Sequence, residues 1–410
     1  MAMRNRYGHN CQKVQYGKVG ELVSLGYMEV IPGDTVQGRV SVDFHSAPTI
    51  RTINTRAYGD LYAFYIPYRV IWDEFPAFIA KQTGAPTSTP FVSDLFPKNF
   101  ETRFARGTDG TPGTTNTSFM RRSYNKVYSC FFDDTDDAYV ADSNSVKTVW
   151  QRPSTFEVAN PPRDYPSVDI SAATTVDDLR SAFARDQFEK IRQFYGDRYT
   201  DYLASLGVRV PWTVLEEPEP IGKKHHDLQF RQVSDTAGTG TEPLGFTAGY
   251  FKSKSIIDLK RTFIPEHGLV GIYAAVRADP IYSTPAENPA LAHVTSADFW
   301  SPEYEMRAQR NYQNALVAGG NLANTLERPS FEHLRKGLNE NFNIGAATNA
   351  QVLGLVVQEE SSQNPISPAS YDTNFETTVL VGGNHYQATA DWRVTKSSQL
   401  MRHGQNRPMR

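Results

Sequence analysis

VQGRVSVDF, residues 36–44, alternates in polarity along its length. Val36, Val40, Val42 and Phe44 share one face, with Gly38 between them, and Gln37, Arg39, Ser41 and Asp43 share the other. Successive side chains of an extended chain point to opposite sides, so this is a strand with one face buried and one face wet. Pro32-Gly33-Asp34, just ahead of it, is a turn signal. The next apolar run, YGDLYAFYI (58–66), is hydrophobic on both faces, and Pro67 stops its ladder. A strand covered on both sides reads this way.

Outside these two strands the pattern changes several times. Residues 1–30 show no helical period and carry Gly8, Gly17, Gly20 and Gly26, so an extended arm is expected there. Trp72–Lys81 reads as a short helix with Phe75, Phe78 and Ile79 on its apolar side. Residues 83–165 are irregular, with one helical piece at Phe119–Cys130 and otherwise long surface loops. Thr174–Leu206 has the strongest helical spacing, and Asp177 and Asp178 favour its first turn. Strand-like runs then return at Gly249–Ile257, Leu269–Val276, Val352–Val357, Glu376–Val381 and His385–Val394. Early strands, a helical and loopy middle, and late strands fit a jelly roll better than a meander. No repeat of fixed period is visible, which argues against solenoids and propellers.

Composition agrees with β-structure rich in turns. The 410 residues include 28 Gly, 25 Pro, 23 Phe and 21 Tyr, while charged residues make up only 21%, fewer than long helical proteins usually carry. Cys11 and Cys130 cannot build a disulfide framework and read as free thiols of a reducing compartment. MAMRNRYGHN has no apolar stretch after its charges, so no signal peptide is expected. Val352–Val357 is too short to span a bilayer, so no membrane partner is expected either.

The net charge of −3 hides an uneven distribution. Residues 1–20 carry Arg4, Arg6, Lys13 and Lys18, and residues 393–410 carry Arg393, Lys396, Arg402, Arg407 and Arg410, while neither end has an acid. Basic ends on an acidic body suit contact with a polyanion, although short basic tails also serve simply as solubilising segments.

Catalytic constellations are missing from the sequence. There is no G-x-S-x-G, Walker loop, H-E-x-x-H or C-x-x-C, and no H-x-H of the kind a metal-dependent jelly-roll oxygenase needs. His225-His226 would face opposite sides of a strand and cannot easily share a metal; exposed loop histidines beside Lys223-Lys224 are the simpler reading. Asp133, Asp134, Asp136 and Asp137 could offer oxygen ligands to calcium, but they lack the Gly and closing Glu of an EF-hand and read as a solvated loop. No cofactor or enzymatic activity is expected. Lys252, Lys254, Lys260 and Arg261 form the densest internal basic patch, with Tyr250 on the same strand face as Lys252 and Lys254. Such a face can grip a single strand by charge and stacking, or it can be an ordinary solvated surface.

Four stretches, taken in order, resemble one family. They are IPGDTVQGRVSVDF (31–44), DLYAFYIPYRVIW (60–72), SVDIS (167–171) with RYTDYLASLG (198–207), and RTFIPEHGLVGIYAAVR (261–277). The second carries Tyr65, Ile66, Pro67 and Arg69, and the fourth carries Pro265, Glu266, His267 and Gly268. Together they are similar to the major capsid proteins of the microviruses (Microviridae), small icosahedral bacteriophages with single-stranded DNA genomes. Past residue 280 the likeness fades to RPSFEHL (328–334) and a strand pair near the end.

The resemblance implies a mainly β fold: a single eight-stranded antiparallel viral jelly roll, a β-sandwich with long loop and helical insertions. The jelly-roll domain would run over 31–410, with insertions at about 83–245 and 281–371 and a basic tail at 393–410. It implies a structural protein of the virion, assembled in the host bacterial cytoplasm as pentamers and a closed shell. Its partners would be further copies of itself, the packaged single-stranded DNA, spike and scaffolding proteins, and a host-cell surface receptor. Arg4, Arg6, Lys13, Lys18, Arg393, Lys396, Arg402, Arg407 and Arg410 would then touch the genome. Tyr165, Trp212 and Trp300 would anchor subunit contacts, or else sit in the core. A carbohydrate-binding jelly-roll module is the alternative, and it would need an exposed aromatic platform.

Overall fold

We describe the chain from a computed structural model covering residues 5–53, 55–80, 119–132, 146–149, 217–234, 247–279, 368–380 and 382–398, with a few isolated short pieces between them. Nine main strands are β1 (Asn5–Gly17), β2 (Leu22–Val30), β3 (Thr35–Ser46), β4 (Ala57–Pro67), β5 (Glu219–Leu228), β6 (Phe230–Ser234), β7 (Thr247–Phe263), β8 (Gly268–Ala278) and β9 (Tyr386–Ser398). They form two sheets, ordered β1-β9-β3-β7-β6 and β2-β8-β4-β5, in which all neighbours are antiparallel.

The chain passes back and forth between the sheets, and its first and last strands lie side by side. That is the jelly-roll arrangement. The strand beyond the expected eight is β6. It continues β5 across Gln229 and moves the chain from one sheet to the edge of the other.

Alternation places the core between the sheets. Val40, Val42 and Phe44 of β3 and Trp392 and Val394 of β9 meet Leu61, Tyr65, Val270 and Ile272 of the opposite sheet. The outer face of the four-stranded sheet is buried as well. Phe64, Ile66 and Tyr273 pack there against helices α1 (Tyr68–Ile71), α2 (Phe75–Ile79) and α3 (Phe119–Phe131) through Tyr68, Trp72 and Tyr124. This second cover explains why β4 is buried at every position, as its two-sided hydrophobicity predicts. The outer face of the five-stranded sheet is polar.

Four expectations need correction. Residues 5–30 are extended, but they are two strands built into the two sheets rather than an arm, because β1 adds to β9 and β2 adds to β8. The single helix expected over Trp72–Lys81 is a pair, α1 and α2, with Trp72 as the break between them and a proline opening the second. Glu376–Leu380 forms turns rather than a strand; Thr378 Oγ1 bonds back to Glu376 at 2.5 Å and Val379 N–H to the Glu376 carbonyl at 3.3 Å. His225 and His226 lie on strand β5, which the charged run Lys223–Asp227 disguised as loop. Strands β3, β4, β7, β8 and β9 and helix α3 fall where expected, within a few residues except for the longer β7. Apart from Arg180, which is helical, the Thr174–Leu206 helix lies outside the described residues, as do the Asp133–Asp137 loop, Tyr165 and Trp212.

Candidate functional site

The basic residues of the two ends do not act as one group. Pairing of β1 with β9 puts Arg6 opposite Ser397 and Arg393 opposite Asn10, on the outward face of the five-stranded sheet, and both side chains are exposed. Alternation turns Lys13 and Lys396 the other way.

Lys13 Nζ donates to the Tyr27 carbonyl at 2.6 Å and sits 4.3 Å above the Trp392 ring. Burial pulls its ammonium below the ordinary lysine value. Its stem crosses Gly26, whose φ of +118° and missing side chain leave the room. Lys396 Nζ lies 3.4 Å from Asp34 and 3.3 Å from the Glu29 carbonyl, fully inside the sandwich. Lys18 Nζ reaches Asp372 at 2.9 Å. These three lysines clamp the protein's own strands and turns. Arg4, Arg402, Arg407 and Arg410 lie outside the described residues.

Lys18 belongs to a larger clip. His385 is wholly buried and stacks on Phe375 with ring centroids 4.8 Å apart. Its Nδ1 accepts from the Val19 N–H at 3.0 Å, so Nε2 carries the proton and donates to Asp372 at 2.7 Å. Burial pushes the imidazole down to about 4. Burial alone would raise the Asp372 carboxyl, but hydrogen bonds from Lys18 and His385 outweigh it and hold the acid below its ordinary value.

A second polar cluster crosses β4, β5 and β8. Asp60 accepts from Arg277 Nε at 3.0 Å and bonds His225 Nδ1 at 2.6 Å, while Arg277 also reaches Tyr62 OH. Burial opposes ionisation of Asp60; the Arg277 charge and these hydrogen bonds overcome it and lower its pKa. His226 points to the other side of β5 and bonds Ser253. The two histidines therefore face apart, as expected, and no cluster of metal-ligating residues occurs among the described residues. In both clusters the charged groups are paired with one another.

The internal basic patch is where alternation places it. Tyr250, Lys252 and Lys254 point outward from β7, on the same face as Arg6 and Arg393. Sequence reading missed Arg39, which lies directly opposite Arg393 on that face. Its outward direction is visible in the 36–44 alternation, but its neighbour more than 350 residues away is not. Trp300 is 56% exposed and Phe299 59%, which places Trp300 at the surface rather than in the core.

Comparison with known proteins separates the remaining readings. A family model described as capsid protein (F protein) matches residues 1–148 and 136–317. Capsid protein F of Escherichia phage alpha3 is 23% identical over 299 residues, covering 67% of this chain and 65% of the relative. Capsid protein F of Escherichia phage G4 is 21% identical over 285 residues, with 65% and 64% covered. That of Enterobacteria phage phiK is 24% identical over 285 residues, with 65% and 63% covered. The matched region thus spans a little under two thirds of each relative's length. Interleaved sheets, paired first and last strands, and a family match across most of the described core lead to one assignment: the chain belongs to the capsid protein F family of the microviruses.

Proposed function

We propose that this chain builds the icosahedral shell of a small single-stranded DNA phage by self-association of many copies, and that the shell encloses the genome. The family match over residues 1–317, laid on a complete jelly roll, carries this reading. The family is structural rather than enzymatic, and nothing favours the carbohydrate-binding module. Pentamers, a place in the virion, assembly in the host cytoplasm, and contacts with spike protein, scaffolding protein and a surface receptor belong to the same proposal.

Each subunit of a closed shell shares several interfaces, and a specific one buries on the order of 1,200–2,000 Å². Exposed aromatic side chains such as Phe299 and Trp300 suit the centre of such a contact. Of the basic ends, Arg6 and Arg393 remain as genome contacts, together with Arg4, Arg402, Arg407 and Arg410. Lys13, Lys18 and Lys396 are withdrawn from that role by their internal bonds. Size-exclusion chromatography with light scattering of the purified full chain tests the reading. Large particles or pentameric pieces are expected, and a lone monomer refutes it.

A further inference from the structure

An edge strand offers unpaired N–H and C=O groups to any chain that can lie beside it. The two sheets have four such edges: β1 and β6 on the five-stranded sheet, β2 and β5 on the four-stranded one. Three of them are guarded. Lys13 Nζ and Lys396 Nζ donate to the Tyr27 and Glu29 carbonyls of β2, at 2.6 and 3.3 Å. Residues 147–149 cover the start of the same edge, where Leu22 N–H reaches the Lys147 carbonyl at 3.0 Å and Val149 N–H the Gly20 carbonyl at 2.7 Å. Strand β5 carries Pro220 and the charged run Lys223–Asp227, and proline and charge on an edge discourage pairing. Strand β6 is only five residues long.

Strand β1 has none of these devices. It runs 13 residues without a proline and pairs with β9 in one unbroken register, so no bulge turns it aside. Among the described residues no strand pairs with its other side. It holds two full charges, Arg6 and Lys13, and Lys13 is turned inward against β2. Gly8, Asn10, Cys11, Gln12 and Val14 are exposed. A long, flat edge with so little charge is the kind that takes another strand. Its sequence suits a second copy of itself. Laid antiparallel at full overlap, Asn5 meets the partner's Gly17, and the two-fold axis falls at the midpoint, Cys11. Arg6 then stands across from the partner's Tyr16, Gly8 from the partner's Val14 and Asn10 from the partner's Gln12, so no like charges oppose each other on the outward face. On the inner face Lys13 meets the partner's His9, an imidazole that burial holds below its ordinary pKa and so keeps neutral at pH 7. The axis is normal to the sheet, as it must be for a wall that lies in a closed shell and straddles one of its two-folds.

We infer that β1 is an assembly edge: two copies pair through Asn5–Gly17, antiparallel across a two-fold axis, and join their five-stranded sheets into one continuous sheet. The inference rests on the shell reading above and names one of its interfaces. Backbone hydrogen bonds hold the joint, about a dozen for an antiparallel ladder of this length. The guanidinium of Arg6 against the partner's Tyr16 ring, made twice by the symmetry, helps to fix the register. Because β2, β5 and β6 are guarded, β1 is the one open edge among the described residues, and pairing stops at two copies instead of running on as a fibre.

Mild oxidation of the full chain under assembly conditions, read on a non-reducing gel, tests the joint. Opposed Cα atoms of an antiparallel pair stand about 4.5–5.5 Å apart, within reach of a disulfide. A dimer linked through Cys11 is expected, lost in Cys11→Ser and kept in Cys130→Ser. On the Cys11→Ser background, chains with Asn10→Cys and chains with Gln12→Cys should link several-fold more when mixed than either does alone, which reads the register. A second arm charges the edge. Asn10→Lys with Gln12→Lys sets lysine against lysine across the joint and should abolish particle formation, with the circular dichroism of the chain unchanged. Asn10→Glu with Gln12→Glu should do the same, and an equal mixture of the two variants should recover particles. Particles that show no Cys11 dimer, or that assemble undisturbed with the lysine pair, overturn the inference and leave the shell reading standing. A wild-type chain that yields Cys11 dimers but no particles upholds the edge and counts against the shell reading.

Discussion

Arg69 and Glu266, almost two hundred residues apart, meet fork to fork: Arg69 Nε donates to Oε2 at 3.0 Å and Nη2 to Oε1 at 3.3 Å. Two segments singled out in the sequence, Tyr65–Arg69 and Pro265–Gly268, are therefore one structural unit. Tyr65 OH donates to the Glu266 carbonyl at 2.9 Å, and Tyr68 N–H donates to the His267 carbonyl at 2.9 Å. The unit locks the end of β4 to the start of β8. Arg69→Lys replaces a planar fork by a point charge and loses one of two charge-assisted bonds. A cost of about 1 kcal/mol is expected, read as a lower denaturation midpoint with the fold unchanged by circular dichroism.

Gly268 lies in the same unit and has no room for a side chain. A Cβ there would stand 2.4 Å from the Ile66 carbonyl oxygen and 2.9 Å from the Tyr65 ring. Backbone cannot yield without parting β4 from β8, so Gly268→Ala should destabilise the chain by about 1–3 kcal/mol. Gly8→Ala is the control, since its nearest neighbour is a side-chain atom at 3.7 Å. Thermal melting should separate the two variants clearly.

Lys396 and Asp34 form an ion pair with side chains only 7% and 0% exposed. Lys396→Met leaves the carboxylate buried without its cation, at a cost of about 3–5 kcal/mol. Adding Asp34→Asn removes the stranded charge and should recover much of the loss. If the double variant melts no higher than the single one, the pair does not act as described.

The His385 clip makes stability depend on pH. The imidazole sits at about 4 in the folded chain against an ordinary value of 6.5. Between those values the unfolded chain binds a proton that the folded chain excludes. Stability is therefore fully present above pH 6.5 and falls as pH drops toward 4, by about 3 kcal/mol at the acid end. His385→Asn removes this dependence and also loses the stacking on Phe375. The melting gap between wild type and variant should narrow from pH 7.5 to pH 4.5, and a constant gap would contradict the assignment.

Strands β3, β4 and β8 were readable because their polarity patterns follow directly from what covers each face. Val36–Phe44 alternates over one wet face, whereas Tyr58–Ile66 does not alternate because α1–α3 cover its second side. Strand β5 escaped notice because it is an edge: only Ile221 and Leu228 are buried, and Lys223–Asp227 reads as loop. The fate of the basic ends was hidden for a different reason. Local sequence gives charge but not direction, and Lys18 and Lys396 find their acids, Asp372 and Asp34, across more than 350 residues. The basic outward face of the five-stranded sheet was visible only in halves, Tyr250–Lys254 on one strand and Arg393 on another. The register of β3 between β7 and β9 joins them.

Electron cryomicroscopy of the full chain, assembled in the presence of single-stranded DNA, bears most directly on these conclusions. Closed particles are predicted, each built from many copies of the two-sheet sandwich. A monodisperse monomer would contradict the account.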